Sequence, residues 1–241
     1  MIHSTRGIVL QRINYSETSL IVRIYTEELG LRSYILKGVR KSGSRIPQGL
    51  LQNLSMLNLV VSHAANRNLN YIKEAAFAYT PERLLSDVKK SSLLMFMNEI
   101  LVKSIREEES NRSLFEFLFD SLVTLDKLEK GISLFHIIFM IRLSRHLGFF
   151  PGMNFSAQRD LFDLSEGRFV KQFRDDRHQM PSDISRTFSE LLSIDYGGID
   201  KTKIAPAHRD SILEYLLQYY SEHLPGFGHI KSLKILKTIF S

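Results

Sequence analysis

Cysteine is absent from the 241 residues, and so is tryptophan. Without cysteine there are no disulfides, no thiolate metal sites and no cysteine nucleophile. Long apolar runs are missing as well. The strongest, ISLFHIIFMI at 132–141, is about half of the roughly 20 residues a bilayer requires, and it contains His136 before running into Arg142. Residues 1–12 carry an early Arg6 and no apolar core of a signal peptide. These absences predict a chain with no membrane span and a cytoplasmic location.

Catalytic and cofactor signatures are equally lacking. There is no GxxxxGK(S/T) or GxGxxG phosphate cradle and no GxSxG elbow. The eight histidines (3, 63, 136, 146, 178, 208, 223 and 229) never fall three to five apart, and none lies in an HExxH frame. Asp175-Asp176 and Glu107 to Glu109 are adjacent like charges that repel, suited to a solvated loop and a helix end. Nothing asks for an enzyme, a metal, a cofactor or a small-molecule substrate.

What the chain does have is positive charge, unevenly placed. The protein carries +6 overall; residues 1–80 hold ten Lys+Arg against four Asp+Glu, while residues 81–241 hold 22 of each. All the excess lies in the first third, which is an electrostatic footprint for an anionic partner. Its densest part is KGVRKSGSR at 37–45, with Lys37, Arg40, Lys41 and Arg45 among glycines and serines.

Residues 1–80 read as strands at 6–13, 18–26, 31–39, 54–61 and 69–79, separated by turn signals. Leu20, Val22 and Ile24 alternate with Arg23 and Tyr25. Five short strands in so little chain predict a five-stranded OB-type β-barrel, because closure removes exposed edges. After Thr80-Pro81 the period becomes helical, with helices over 82–109, 113–130, 133–148, 182–194, 208–223 and 228–241. Pro81 is placed in the first helical turn, the 133–148 helix at the centre of a bundle, and a small hairpin turning at Glu166-Gly167 in 162–173. The expected class is α+β, with an OB-fold nucleic-acid-binding domain at 1–80 and a helical domain at 81–241 that holds a cysteine-free hairpin insertion around 153–175.

Arg23-x-Tyr25 and Arg32-x-Tyr34 repeat one pattern, and the strand period puts each Arg and its Tyr on one side. Joined by the EELG turn, the two pairs are expected close together. Charge for a phosphate and a ring for a base suit single-stranded nucleic acid. Alone, each pair is better read as half-buried sheet tyrosines beside solubilising arginines; joined to the charge asymmetry and the 37–45 loop, the pairs favour nucleic acid.

The stretch RGIVLQRINYSETSLIVRIYTEELGLRSYILKGVRKSGSR (6–45) closely resembles the opening of the RecO family of bacterial recombination mediators. ERLLSDV (82–88), SLFEFLFDSLVTL (113–125), RLSRHLGFFPG (142–152) and HIKSLKIL (229–236) resemble later segments of that family. The resemblance spans the chain through many moderate signals. It implies an N-terminal OB-fold and a helical domain without enzymatic activity. It also implies binding to single- and double-stranded DNA, annealing of complementary strands, and loading of recombinase onto strands coated with single-strand-binding protein. The implied partners are RecR, often RecF, and single-strand-binding protein. Many members carry a four-cysteine zinc element after the LG-x-x-P segment. Residues 153–169 have no cysteine, so packing of Phe155, Leu161, Phe162, Leu164 and Phe169 is expected in its place.

The phosphate contacts expected are Lys37, Arg40, Lys41 and Arg45 with Arg23 and Arg32; Tyr25 and Tyr34 are the stacking candidates. For the acidic, apolar-ended tail of single-strand-binding protein, Arg142, Arg145 and His146 beside Phe149 and Phe150 form a candidate pocket, although both phenylalanines also suit a core. The stripe Lys231, Lys234 and Lys237 suits a solvated face or an extension of the DNA path. A protein-interaction scaffold and an RNA-binding OB protein are the alternatives.

Overall fold

Alternating apolar residues become five antiparallel strands: β1 (Ile2–Asn14), β2 (Leu20–Thr26), β3 (Gly30–Leu36), β4 (Met56–Ser62) and β5 (Tyr71–Tyr79). They form one sheet in the order β3-β2-β1-β4-β5. The structure is a computed structural model that describes residues 1–39, 46–63, 69–106, 108–171 and 178–240. The chain divides into two compact units, Met1–Ser86 with Met97–Asp126, and Asp87–Phe96 with Lys127–Ser241.

In the first unit, β1 is long enough to pair twice. Its first half faces β4 from Ile2↔Ser62 to Ile8↔Met56, and its second faces β2 from Gly7↔Thr26 to Asn14↔Leu20, with a bulge between Val9 and Gln11. Gly7 sits where the two pairings overlap. A Cβ there would lie 2.7 Å from both Ile24 Cγ2 and Leu59 Cδ1, so the crossing of β1 over the core requires glycine. The inner face packs Val9, Leu20, Val22, Ile24, Leu36, Leu57, Leu59 and Val61 into one cluster. The sheet is not a closed ladder. Among the described residues, β3 meets the start of β5 at one parallel bridge, between Tyr34 and Asn70 just ahead of β5, where Asn70 N–H donates to Ser33 O at 3.0 Å and Ile35 N–H to Asn70 O at 2.9 Å.

The unit also takes in Met97–Asp126, so the change of architecture at residue 80 is not where it ends. The helix predicted from 82 starts later, as α1 (Val88–Ser104), and Pro81 is not in its first turn. Two carboxylates account for the delay. Asp87 Oδ1 accepts from the Lys89 and Lys90 amides at 2.8 and 3.1 Å, making it the helix cap. Asp126, in α2 (Arg112–Lys127), holds residues 82–84 in a turn. It accepts from the Glu82, Arg83 and Leu84 amides at 2.9, 2.7 and 2.8 Å and from the Tyr79 hydroxyl at 2.7 Å.

In the second unit, α3 (Phe135–His146) is buried along nearly its whole length, as its all-round apolar sequence predicts. His136 lies within it, edge-on to Phe96 at 5.8 Å, and burial followed by the charge of Arg209 pushes its pKa down to about 3. A neutral imidazole is what this apolar site accepts. Helix α4 (Ser182–Leu191) and helix α5 (Pro206–His223) follow, and α6 (Leu233–Phe240) begins five residues later than the sequence suggests. The Tyr220 hydroxyl donates to Met140 O at 2.6 Å, fastening α5 to α3.

The cysteine-free insertion is a three-stranded sheet of β6 (Leu161–Asp163), β7 (Arg168–Val170) and β8 (Gln179–Met180), in the order β7-β6-β8. Its turn is at 166–167, as expected, with Gly167 at φ 65 and Asp163 Oδ1 accepting from the Ser165 and Glu166 amides at 3.0 and 2.9 Å. Asn154 clamps Phe169 from both sides, accepting its amide at 3.0 Å and donating to its carbonyl at 2.9 Å. Phe162 packs edge-on to Phe169, Phe188 and Tyr219 at 5.0, 4.9 and 5.6 Å, and Phe155 to Phe169 at 5.3 Å. Leu161, Leu164, Phe162 and Phe169 are buried and Phe155 half-buried, so aromatic packing and side-chain caps hold the insertion.

Burial pushes the Asp126 pKa up, but its four donors outweigh this and hold it below the usual 3.8. Asp126→Ala strands those donors and is expected to cost about 3 kcal/mol at pH 7 by urea unfolding. A carboxylate with a lowered folded pKa stabilises above its unfolded value and loses that contribution as pH falls through the folded one. The gap between wild type and variant therefore narrows below about pH 4.

Candidate nucleic-acid interface

The turn joining β2 to β3 decides where the expected contact residues go. The Thr26 hydroxyl accepts from Leu29 N–H at 3.1 Å and donates to Gly30 O at 2.8 Å. Across it the register is Val22↔Tyr34, Arg23↔Ser33, Ile24↔Arg32 and Tyr25↔Leu31. Opposed residues share a face, so Arg32 and Tyr34 lie on the inner face with Val22 and Ile24, while Arg23 and Tyr25 lie on the outer one. The two pairs are not brought together.

Neither tyrosine is a stacking platform. Tyr34 is 0% exposed within the core cluster, and burial pushes its pKa up to about 12. Tyr25 is 1% exposed, with its ring 6.4 Å from that of Phe115 and its hydroxyl donating to Asn111 O at 3.3 Å. The physical reason is that α2 covers this part of the outer face, a contact strand periodicity cannot reveal.

The arginines differ. Arg23 is half-buried, with Nη1 3.4 Å from Gln11 Oε1 on the neighbouring strand. Arg32 donates to Leu31 O at 2.9 Å and stands 3.5 Å from the exposed Glu108 carboxylate. Lys37 is exposed just beyond β3, followed by Gly38 at φ 68. Arg40, Lys41 and Arg45 lie outside the described residues. Val39 and Ile46, the described residues nearest them in sequence, are buried in the core cluster. Arg12 at the far end of β1 and Lys73 on β5 are further exposed cations of the sheet.

The sequence reading missed Arg6, which holds α2 on the sheet. Its guanidinium donates to both Glu27 carboxylate oxygens at 2.9 Å and to Glu116 at 2.6 Å, and it lies 5.1 Å above the rings of Phe115 and Phe119. The hydrogen bonds from Arg6 hold Glu27 below the usual carboxylate range despite burial. No local sequence signal marked Arg6, because Glu27 and Glu116 lie 21 and 110 residues away. Beside it lies a depression of about 600 Å³ lined by Ser4, Arg6, Glu27, Glu28, Asn58, Glu74 and their neighbours. Three carboxylates make this part of the outer face repel phosphate.

The expected partner pocket is in the second unit. Arg142 is half-buried, with Nη2 3.4 Å from Ile194 O and its guanidinium 5.7 Å from the Tyr196 ring. Arg145 is exposed and stacks 4.1 Å over Phe150. His146 is half-buried, and burial followed by Arg145 pushes its pKa down. Phe149 packs between Tyr220 at 5.0 Å and His223 at 5.3 Å, a place in the framework. Of the stripe, Lys237 pairs with Glu214 and Lys234 is exposed. Among the described residues, no group of three His, Asp or Glu side chains is placed to hold a metal, and no helix is long and apolar enough to cross a membrane.

Residues 1–80 match the family model described as "Recombination protein O N terminal", and residues 85–234 the one described as "Recombination protein O C terminal". This chain belongs to the RecO family of DNA repair proteins. Relatives named DNA repair protein RecO include one from Azobacteroides pseudotrichonymphae, 35% identical over 240 residues, and one from Christiangramia forsetii, 34% identical over 241. A third, from Phocaeicola vulgatus, is 35% identical over 242 residues, and all three alignments cover 100% of both chains. RecO membership places the chain in DNA repair and recombination.

If Tyr25 is framework, Tyr25→Ala is expected to lower unfolding free energy by roughly 3–5 kcal/mol in urea denaturation, as for other buried rings. A solvent-facing stacking ring would lose no more than about 0.5 kcal/mol.

Proposed function

We propose that the chain is a non-enzymatic recombination mediator. It binds single- and double-stranded DNA, anneals complementary strands, and helps load recombinase onto strands coated with single-strand-binding protein, in the cytoplasm. The observation that carries this reading is that the whole excess positive charge lies within the segment matching the N-terminal RecO family model. RecO membership over the full chain supports it.

The strand order β3-β2-β1-β4-β5, with β3 and β5 touching at the Tyr34–Asn70 bridge, supports reading the sheet as an OB-type barrel left open along most of that seam. DNA is then held by its phosphates. Lys37, Arg40, Lys41 and Arg45 are the proposed principal contacts, Arg23 and Arg32, on opposite faces of the sheet, are secondary ones, and no tyrosine stack is required. Two strands repel; a surface that replaces their condensed counterions lowers that cost without reading sequence. Single-strand-binding protein would dock its acidic tail at Arg145 and Phe150, where an exposed cation over a half-buried ring offers charge beside apolar surface. RecR, with RecF where needed, completes the set of partners.

Fluorescence anisotropy with labelled single-stranded DNA across a salt series tests the reading. Wild type should bind and weaken steeply with salt. Changing Lys37, Arg40, Lys41 and Arg45 together to Ala should cut affinity several-fold and flatten the log–log slope by up to about 3–4, one phosphate contact being worth roughly 0.9. Wild-type affinity in that variant sinks the loop assignment. No binding at low salt indicates a scaffold, and preference for RNA of the same sequence an RNA-binding protein.

A further inference from the structure

The outer face of the first sheet is covered only in part. Tyr25 is buried there against Phe115 of α2, whereas Ser4, Asn58, Glu74 and Ala76 are exposed. The register brings these four together. Ser4 stands opposite Val60 and Val60 opposite Glu74; Arg6 stands opposite Asn58 and Asn58 opposite Ala76. Opposed residues share a face, so two rows of side chains cross β1, β4 and β5 on the outer side. They line the depression of about 600 Å³, and Glu27 and Glu28, which follow β2, complete its lining.

Residues 1–80 contain only four acidic side chains, at positions 17, 27, 28 and 74, and three of them line this one depression. The same segment holds ten Lys+Arg, more than enough to pair with every carboxylate. Only Glu27 is so paired here: Arg6 donates to both its oxygens at 2.9 Å, and Arg112 stands 3.4 Å away. Among the described residues, the Glu28 and Glu74 carboxylates have no such partner, and the Asn58 side-chain amide has none either. Val60, Ala75 and Ala76 give the same lining apolar surface.

A lysine or arginine side chain satisfies both features, with methylenes for the apolar lining and a cation for a carboxylate. The lining spans three strands, roughly 10 Å at the usual spacing, which exceeds what a single cation needs. β5 is also the last strand in the sheet order, with β4 as its ladder partner. A peptide laid here therefore finds main-chain partners at the open edge as well as the Asn58 amide.

We propose that this depression is a docking surface for an extended segment of a protein partner that carries lysine or arginine. The cations pair with Glu28 and Glu74 while their stems lie against Val60 and Ala76. This surface does not depend on the proposed DNA binding and has the opposite charge preference. A partner seated on it leaves the cations proposed for phosphate free, so both ligands can be held at once.

The test is fluorescence anisotropy of the full chain with a short labelled peptide alternating lysine and valine, and with its counterpart in which glutamate replaces lysine. The lysine peptide should bind and weaken as salt rises; the glutamate peptide should not bind. Glu28→Gln combined with Glu74→Gln should weaken the lysine peptide about tenfold, as expected for two lost ion pairs. Glu17→Gln, outside the depression, should leave it unchanged, and Ala76→Lys, which supplies a tethered cation, should weaken it. Labelled single-stranded DNA should bind the double variant no less tightly than wild type, since both carboxylates repel phosphate. No binding of the lysine peptide, or equal binding by the double variant, overturns the proposal. A matching loss of DNA affinity also overturns it, by reporting a damaged fold. Displacement of the peptide by spermidine at equal charge makes the occupant a polyamine, and self-association lost in the double variant makes it a second copy of the chain; either overturns the partner segment. Specific peptide binding with no DNA binding keeps this surface and removes the DNA reading.

Discussion

The register between β2 and β3, fixed by the Thr26–Gly30 turn, is the constraint on which the N-terminal architecture rests. Side chains alternate with a period of two, so a slip by one residue would exchange the faces of every residue beyond the turn. As it stands, Tyr34 and Leu36 join Leu20, Val22 and Ile24 in the core. Arg32 is carried to the rim of the inner face, where an arginine keeps water within reach. Gly7 makes the same core possible from the other side by letting β1 cross between Ile24 and Leu59.

The outer face is claimed by other interactions. Arg6 pairs with Glu27 and Glu116 and lies over two phenylalanines of α2, covering the region where Tyr25 is buried. Asp126 fixes the opposite end of that helix to the turn leaving β5. Carboxylates line the depression beside Arg6. The depression is therefore unfavourable to the proposed DNA ligand, and the proposal has it approach at the segment beginning with the exposed Lys37.

Strands and helices were legible because their periods are written in short windows: Leu20, Val22 and Ile24 in one register, Leu114, Leu118, Leu122 and Leu125 in the other. The hairpin at 166–167 was legible from its Gly. That the sheet does not close was not legible, since closure depends on how far β3 and β5 approach. The tyrosines failed for a related reason. Alternation says that Tyr25 and Tyr34 each share a side with an arginine, but not which side is core, nor that residues near 115 return to cover the other. Asp126 on the apolar stripe of its helix was a readable anomaly, because a buried carboxylate needs donors.

Without cysteine, the insertion is held by Asn154 and Asp163, which satisfy backbone groups, and by a knot of aromatic rings that supplies the burial. The proposed activity needs no metal and no nucleotide, only a surface that lowers repulsion between strands. Annealing of complementary strands coated with single-strand-binding protein, without nucleotide, tests that claim most directly. The chain is expected to accelerate annealing at low salt and lose the effect as salt rises; annealing no faster than with the coating protein alone would contradict the account.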